Sequence, residues 1–278
     1  MKIGVIGGSG IYDLSFVEFV KEHKIKTPFG SPSDVISELK INNSSFYFLP
    51  RHGKGHRISP SEINYCANIY ALKKLGVNYL ISISAVGSLK DDYPPGTFVL
   101  PDQFIDWTKG LRRRSFFGEG MVGHVSVALP VEKSLQQLIY QKAKELKLNV
   151  CKDGSYLCIE GPQFSTKAES NFYRSLGADV IGMTNVPEAY LAKEAGMAYA
   201  TIAMVTDFDG WKEVHVNLDE VMKTMQGNYK NAQMLLKFLI PSLTQEDISY
   251  KTENQNSIMT TPKHLTDKHN EIKNVILS

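Results

Sequence analysis

Four short stretches carry side chains able to do chemistry. The run Arg51-His52-Gly53-Lys54-Gly55-His56 joins a guanidinium to two imidazoles. Such a cationic loop can hold an oxyanion, Arg51 through two parallel hydrogen bonds and His52 through one more donor. His52 and His56 stand four apart, as helical metal ligands would. The two glycines between them disfavour a helix, and no third ligand is spaced to join them. A solvated basic loop is the alternative. Gly7-Gly8-Ser9-Gly10 offers backbone N–H groups and a hydroxyl to an anion, or simply a tight turn. Ser82 through Ser88, SISAVGS, sets hydroxyls before a glycine, which suits a ligand or close packing equally. Met204 through Trp211, MVTDFDGW, brings Asp207 and Asp209 two residues apart, so that both face one way on an extended chain. Such a pair reads a donor edge such as an exocyclic amine, and crowding raises one pKa enough to retain a proton. Metal binding and helix capping are its rival uses.

Buried strands must deliver these groups. Ile3–Ile6, residues 35–41, 46–49 and 79–84, and then 97–100, 156–159 and 198–205 read as strands, most of them continuously apolar, as in a sheet covered on both faces. Ser59-Pro60-Ser61-Glu62 predicts a capped helix start, followed by apolar or small positions to Gly76. Thr166 with Glu169 predicts a second helix ending at Gly177, Pro187 opens a third toward Gly196, and residues 218 to 239 form a fourth. Strands interleaved with helices predict an α/β fold: a single layered domain over residues 1–242, with a mixed central sheet flanked by helices. Residues 243–278 turn polar and read as a tail packed on the core or on a neighbouring subunit.

At 278 residues, the chain is long enough for a large core without disulfides. Its 31 Lys and Arg against 29 Asp and Glu leave a charge of +2, which gives no electrostatic reason to expect nucleic acid or an anionic membrane as partner. Arg112-Arg113-Arg114 reads as a solvated loop or a subunit contact. Three cysteines, Cys66, Cys151 and Cys158, lack metal spacing and fit a reducing compartment. The glycine-broken N-terminus is neither signal peptide nor membrane span, and a cytoplasmic location is expected. A dinucleotide fold would need glycine or alanine where Asp13 stands.

Taken together, KIGVIGGSGIYD, TPFGSPSD, RHGKGH, SPSEINYCANIYALKKLG, SAVGSL, PGTFVLPDQFID, EGPQFSTKAES, GADVIGMTNVPEAYLAKEAG and TIAMVTDFDGW resemble the purine nucleoside phosphorylase family over residues 2 to 240. The resemblance implies phosphorolysis of 5'-methylthioadenosine to adenine and 5-methylthioribose 1-phosphate. It also implies a mixed sheet, a homo-oligomer (trimer or hexamer, the trimer preferred), and no metal or organic cofactor, inorganic phosphate being a co-substrate. Matched segment by segment, the phosphate site comprises Ser9, where relatives often carry threonine, with Arg51, His52, Ser84, Ala85 and Thr184. Met183 lies against the ribose, Phe164 and Ser165 line the purine pocket, and Asp207 and Asp209 read adenine. Relatives acting on 6-oxopurines carry asparagine at the base-reading position. Leu218, Val221 and Met222 line the methylthio pocket, and His124 reaches in from the adjacent subunit. Adenosine or a 6-oxopurine nucleoside is the alternative substrate. Asp207, with Arg51 and His52, is expected to carry the catalysis, sharing or donating the proton that settles on the purine.

Overall fold

The computed structural model describes residues 1–8, 16–212, 218–245 and 254–278. Its strands in chain order are β1 (Ile3–Gly7), β2 (Glu18–His23), β3 (Ile36–Ile41), β4 (Ser44–Pro50), β5 (Tyr79–Ser88), β6 (Phe98–Leu100), β7 (Gln103–Trp107), β8 (Val150–Lys152), β9 (Ser155–Ile159), β10 (Val180–Gly182) and β11 (Ala198–Phe208). The helices are α1 (Tyr65–Lys74), α2 (Lys133–Glu145), α3 (Lys167–Ser175), α4 (Asn185–Glu194), α5 (Leu218–Gln245) and α6 (Asp267–Ile276). All eleven strands form one mixed sheet with helices packed on it, and β5 is its hub. β5 pairs in parallel with β1 and β11, and antiparallel with β10 at its far end.

The apolar runs form the middle of the sheet. Every residue of β1 is buried, as are the first nine of β11, because both faces are covered and neither needs polar alternation. The strands that sequence reasoning passed over are short or at the rim. β2 (EFVKEH) is an exposed edge with charges that discourage further pairing.

Caps decide where helices begin. Thr166 and Glu169 form the predicted reciprocal box ahead of α3. Ser59 and Glu62 bond as expected, Oγ to Oε2 at 2.7 Å, yet they close a turn. α1 starts only at Tyr65, because Asn64 accepts from the Ala67 N–H and becomes the cap. α5 continues through Pro241 and across the expected boundary at 242/243, with Leu243 wholly buried. Beyond it, α6 is a helix where only a polar tail was expected. Its two buried isoleucines, Ile272 and Ile276, stand one turn apart and join the main core, too sparse a stripe to read from sequence.

Candidate active site

The carboxyl ends of β1, β4, β5 and β11, parallel to one another, open on a cavity of about 330 Å³, with β10 as a further wall. Ligands in open α/β sheets gather at this edge. Arg51, His52, Ser84, Ala85, Phe164, Met183, Thr184, Asp207, Asp209 and Val221 all line it. Two groups far apart in sequence, Arg51 and Asp207, therefore share one cavity.

Arg51 follows β4 directly and is fully buried. Its planar fork is turned on Glu188 of α4: Nε donates to Oε2 at 2.7 Å and Nη2 to Oε1 at 2.9 Å. Nη2 also donates to Ser82 Oγ at 2.6 Å, and Nη1 to the Ile83 carbonyl at 3.0 Å. Burial opposes its charge, but Glu188 more than offsets this and holds its pKa above the usual value. Four of five N–H groups are thus committed. The expectation that Arg51 grips an anion with both arms is corrected: the carboxylate has taken the bidentate face, and among the described residues one Nη1–H is left without an acceptor.

His52 is likewise not the cationic donor expected. Its Nδ1 bonds the Ile58 carbonyl at 2.9 Å, which makes Nδ1 the protonated nitrogen and leaves Nε2 an acceptor. Burial, then the Arg51 charge and the stacked His56 ring 4.3 Å away, push its pKa down to about 4. The imidazole is neutral at pH 7. Thr184 stands at the N-cap of α4 but makes no side-chain capping bond, so its hydroxyl is uncommitted to the helix.

At the other end, β11 slips register between Val205 and Asp207, which sets Asp207 opposite Gly87 of β5. A side chain at position 87 would crowd Asp209 Cβ at 3.3 Å, so glycine admits the carboxylate there. Burial raises the Asp207 pKa, Thr206 Oγ1 at 2.6 Å from Oδ1 counteracts it, and the Asp209 charge adds to the rise. Burial raises the Asp209 pKa as well, partly offset by the nearby Ser170 and Ser165 hydroxyls. Nevertheless Asp209 Oδ2, Ser165 Oγ and Ser170 Oγ, all buried, close no hydrogen bond of proper geometry. The two acids are crowded, and Asp209 Oδ2 is left wanting a partner.

Several expected residues sit elsewhere. Ser165 is half-buried beside Asp209 and does not line the cavity. Met222 is 53% exposed and does not line the cavity. Val221, Met225 and Tyr229 do line it, and their i, i+4, i+8 spacing puts them on one face of α5. That spacing was the signal for the last two. His124 is exposed on a loop, its backbone N–H bonding the Ser257 carbonyl, and does not line this chain's own cavity. Ser9 lies outside the described residues, and so does the Leu218 side chain. Sequence reasoning missed Glu188, Thr206 and Met204; Glu188 gave no signal because its partner is 137 residues away.

A family model described as the phosphorylase superfamily matches residues 2–241. The S-methyl-5'-thioadenosine phosphorylase of Saccharolobus solfataricus is 54% identical over 88% of this chain and 91% of its own length. That of Geobacter sulfurreducens is 47% identical over 88% and 86%. Among solved structures, a methylthioadenosine phosphorylase from an antarctic soil metagenomic library superposes with a TM-score of 0.92 at 42% identity, covering 100% of this chain and 99% of its own. The methylthioadenosine phosphorylase of Schistosoma mansoni in complex with adenine gives 0.84 at 39% identity, covering 88% and 93%.

Proposed function

The chain belongs to the phosphorylase superfamily, and from that premise we propose that it catalyses phosphorolysis of S-methyl-5'-thioadenosine to adenine and 5-methylthioribose 1-phosphate. The observation that carries this reading is the two-ended cavity: hydroxyls and one guanidinium N–H at one end, two pKa-raised carboxyls at the other. Breaking the C1'–N9 bond builds positive charge on the ribose and negative charge on the purine. A phosphate below the sugar answers the first, and a proton delivered to the base answers the second.

Phosphate is held by the remaining Nη1–H of Arg51 and by Ser84, Ala85 and Thr184, with Ser9 added as the resemblance implies. His52, fixed as an acceptor through Nε2, takes the O–H of a monoprotonated phosphate. The phosphate oxygen bonds to C1' as the C1'–N9 pair departs with adenine. Asp207, kept protonated by burial and by Asp209, gives its proton to N7 and is reprotonated from water. Asp209 accepts from the N6 amine. Met183 packs on the ribose, Phe164 on the purine side, and Val221 and Met225 on the side of the methylthio group, where the resemblance also assigns Leu218; Met222, exposed outside the cavity, has no part in it. The scheme needs no metal or organic cofactor.

The working unit is proposed to be a homotrimer, His124 reaching a neighbour's methylthio pocket. Leu111, Val122, Val127 and Leu129, exposed in the same stretch, support an interface there. Residence in the cytoplasm is supported by three free cysteines. Among the described residues no helix is long and apolar enough to cross a membrane.

Turnover of methylthioadenosine, adenosine and inosine, each with phosphate, tests the assignment. Methylthioadenosine is expected to lead, adenosine to follow because its 5'-hydroxyl meets Val221 and Met225, and inosine to fail because its 6-oxo group faces carboxyls. Inosine turned over as fast as methylthioadenosine would sink the base-reading role of Asp207 and Asp209.

A further inference from the structure

We propose that Arg112 is a positioning residue of this reaction: its guanidinium ties the segment carrying Met183 and Thr184 to the segment leading into Phe164 and Ser165, and so fixes the spacing between the anion and base ends of the cavity. The proposal rests on the reading given above. The arginine run reads in sequence as a solvated loop or a subunit contact, and its other two members are exposed in this chain, Arg113 pairing with Glu119 and Arg114 with Asp106. Arg112 is 5% exposed.

All five of its N–H groups find acceptors on two segments that have no direct link in sequence. Nη1 donates to the Met183 carbonyl and to the Val186 carbonyl, each at 2.7 Å. Nη2 donates to the Glu160 carbonyl at 2.8 Å and to the Ile159 carbonyl at 3.4 Å, and Nε to Glu160 Oε1 at 2.8 Å. Glu160 is itself held by Ser61 Oγ at 2.6 Å and the Lys109 N–H at 2.8 Å. On the first segment, Val186 is extended (φ −116°, ψ 126°) within the first turn of α4, so the backbone from 183 to 186 lacks regular helical bonding. The guanidinium gives two carbonyls of this stretch, those of Met183 and Val186, a donor. On the second, Gly161 (φ +69°) turns the chain so tightly that a side chain there would meet Met183 Sδ at 2.5 Å. The two walls touch at this point, and Arg112 sets how closely. Lysine has no planar fork and only three donors, so it cannot serve both walls.

The test is Arg112→Lys beside Arg112→Gln, measured for folding by circular dichroism, for kcat and KM of both substrates, and for adenine affinity by calorimetry. Both are expected to fold. A misplacement of about 1 Å costs on the order of 100-fold, so kcat is expected to fall by about that factor. The KM for phosphate is expected to rise several-fold through Thr184, and adenine to bind about tenfold more weakly through the displaced base loop. Variants that fold and keep kcat, both KM values and adenine affinity within about threefold of the parent would overturn the proposal. Failure of both variants to fold would overturn it too, because Arg112 would then be holding the fold and not the spacing. A parent that binds adenine but releases none from methylthioadenosine sinks the reaction instead, and the adenine affinities of the variants then judge Arg112 by themselves. A parent that binds no adenine sinks both.

Discussion

The two ends of the cavity solve opposite electrostatic problems. At the anion end the buried Arg51 is already paired, with Glu188, Ser82 and the Ile83 carbonyl as partners, and His52 is neutral. At the base end Thr206 reaches Asp207, but Asp209 Oδ2 and Ser165 Oγ are buried without hydrogen bonds, and burial raises the pKa of both carboxyls. A saturated end can be rigid before any ligand arrives. An unsaturated end holds acceptors that only a ligand with donors can satisfy, which favours a 6-amino purine over a 6-oxo one.

The largest effect is expected at the saturated end. Arg51→Met leaves buried Glu188 without its cation, with the Ser82 and Tyr199 hydroxyls still donating to it; breaking a buried pair costs about 3–5 kcal/mol and removes the anion contact, so melting temperature and turnover both collapse. Adding Glu188→Leu restores much of the melting temperature, but not the phosphorolysis. Recovery of both in the double variant would break the comparison by showing the pair to be scaffold alone.

Next is Asp207→Asn at the other end. Loss of a general acid lowers kcat by about 100-fold or more, with melting little changed because no ion pair is broken. The pH profile sharpens this. The Asp207 carboxyl has a raised pKa and acts in its protonated form, so parental kcat declines as pH rises through that pKa. In Asp207→Asn this limb disappears.

Thr184→Val removes one hydroxyl to a charged ligand. At about 1.5 kcal/mol, the KM for phosphate rises about tenfold and that for methylthioadenosine hardly moves. The smallest contrast lies along α5: Met225→Ala raises the KM for methylthioadenosine about tenfold, and exposed Met222→Ala changes it by less than about twofold. Equal effects at 222 and 225 would mean that the helix face is misassigned.

What the sequence made legible follows from how local each signal is. Strand cores such as β1 and β11 declare themselves because both faces are apolar, and Thr166 with Glu169 is a contact three residues apart. The residues at the cavity were readable where strand ends present them, as with Ser84 and Asp207. Their states were not. Whether Arg51 offers two arms or one depends on Glu188, and whether His52 donates or accepts depends on the Ile58 carbonyl. Arg112 shows the same limit: three adjacent arginines look alike in sequence, and only the fold decides that one of them is interior.

The most direct measurement is adenine release from S-methyl-5'-thioadenosine with and without inorganic phosphate, the sugar product being identified in each case. The account predicts saturable dependence on phosphate, with 5-methylthioribose 1-phosphate formed one for one with adenine. Release at the same rate without phosphate, yielding free 5-methylthioribose, would contradict it.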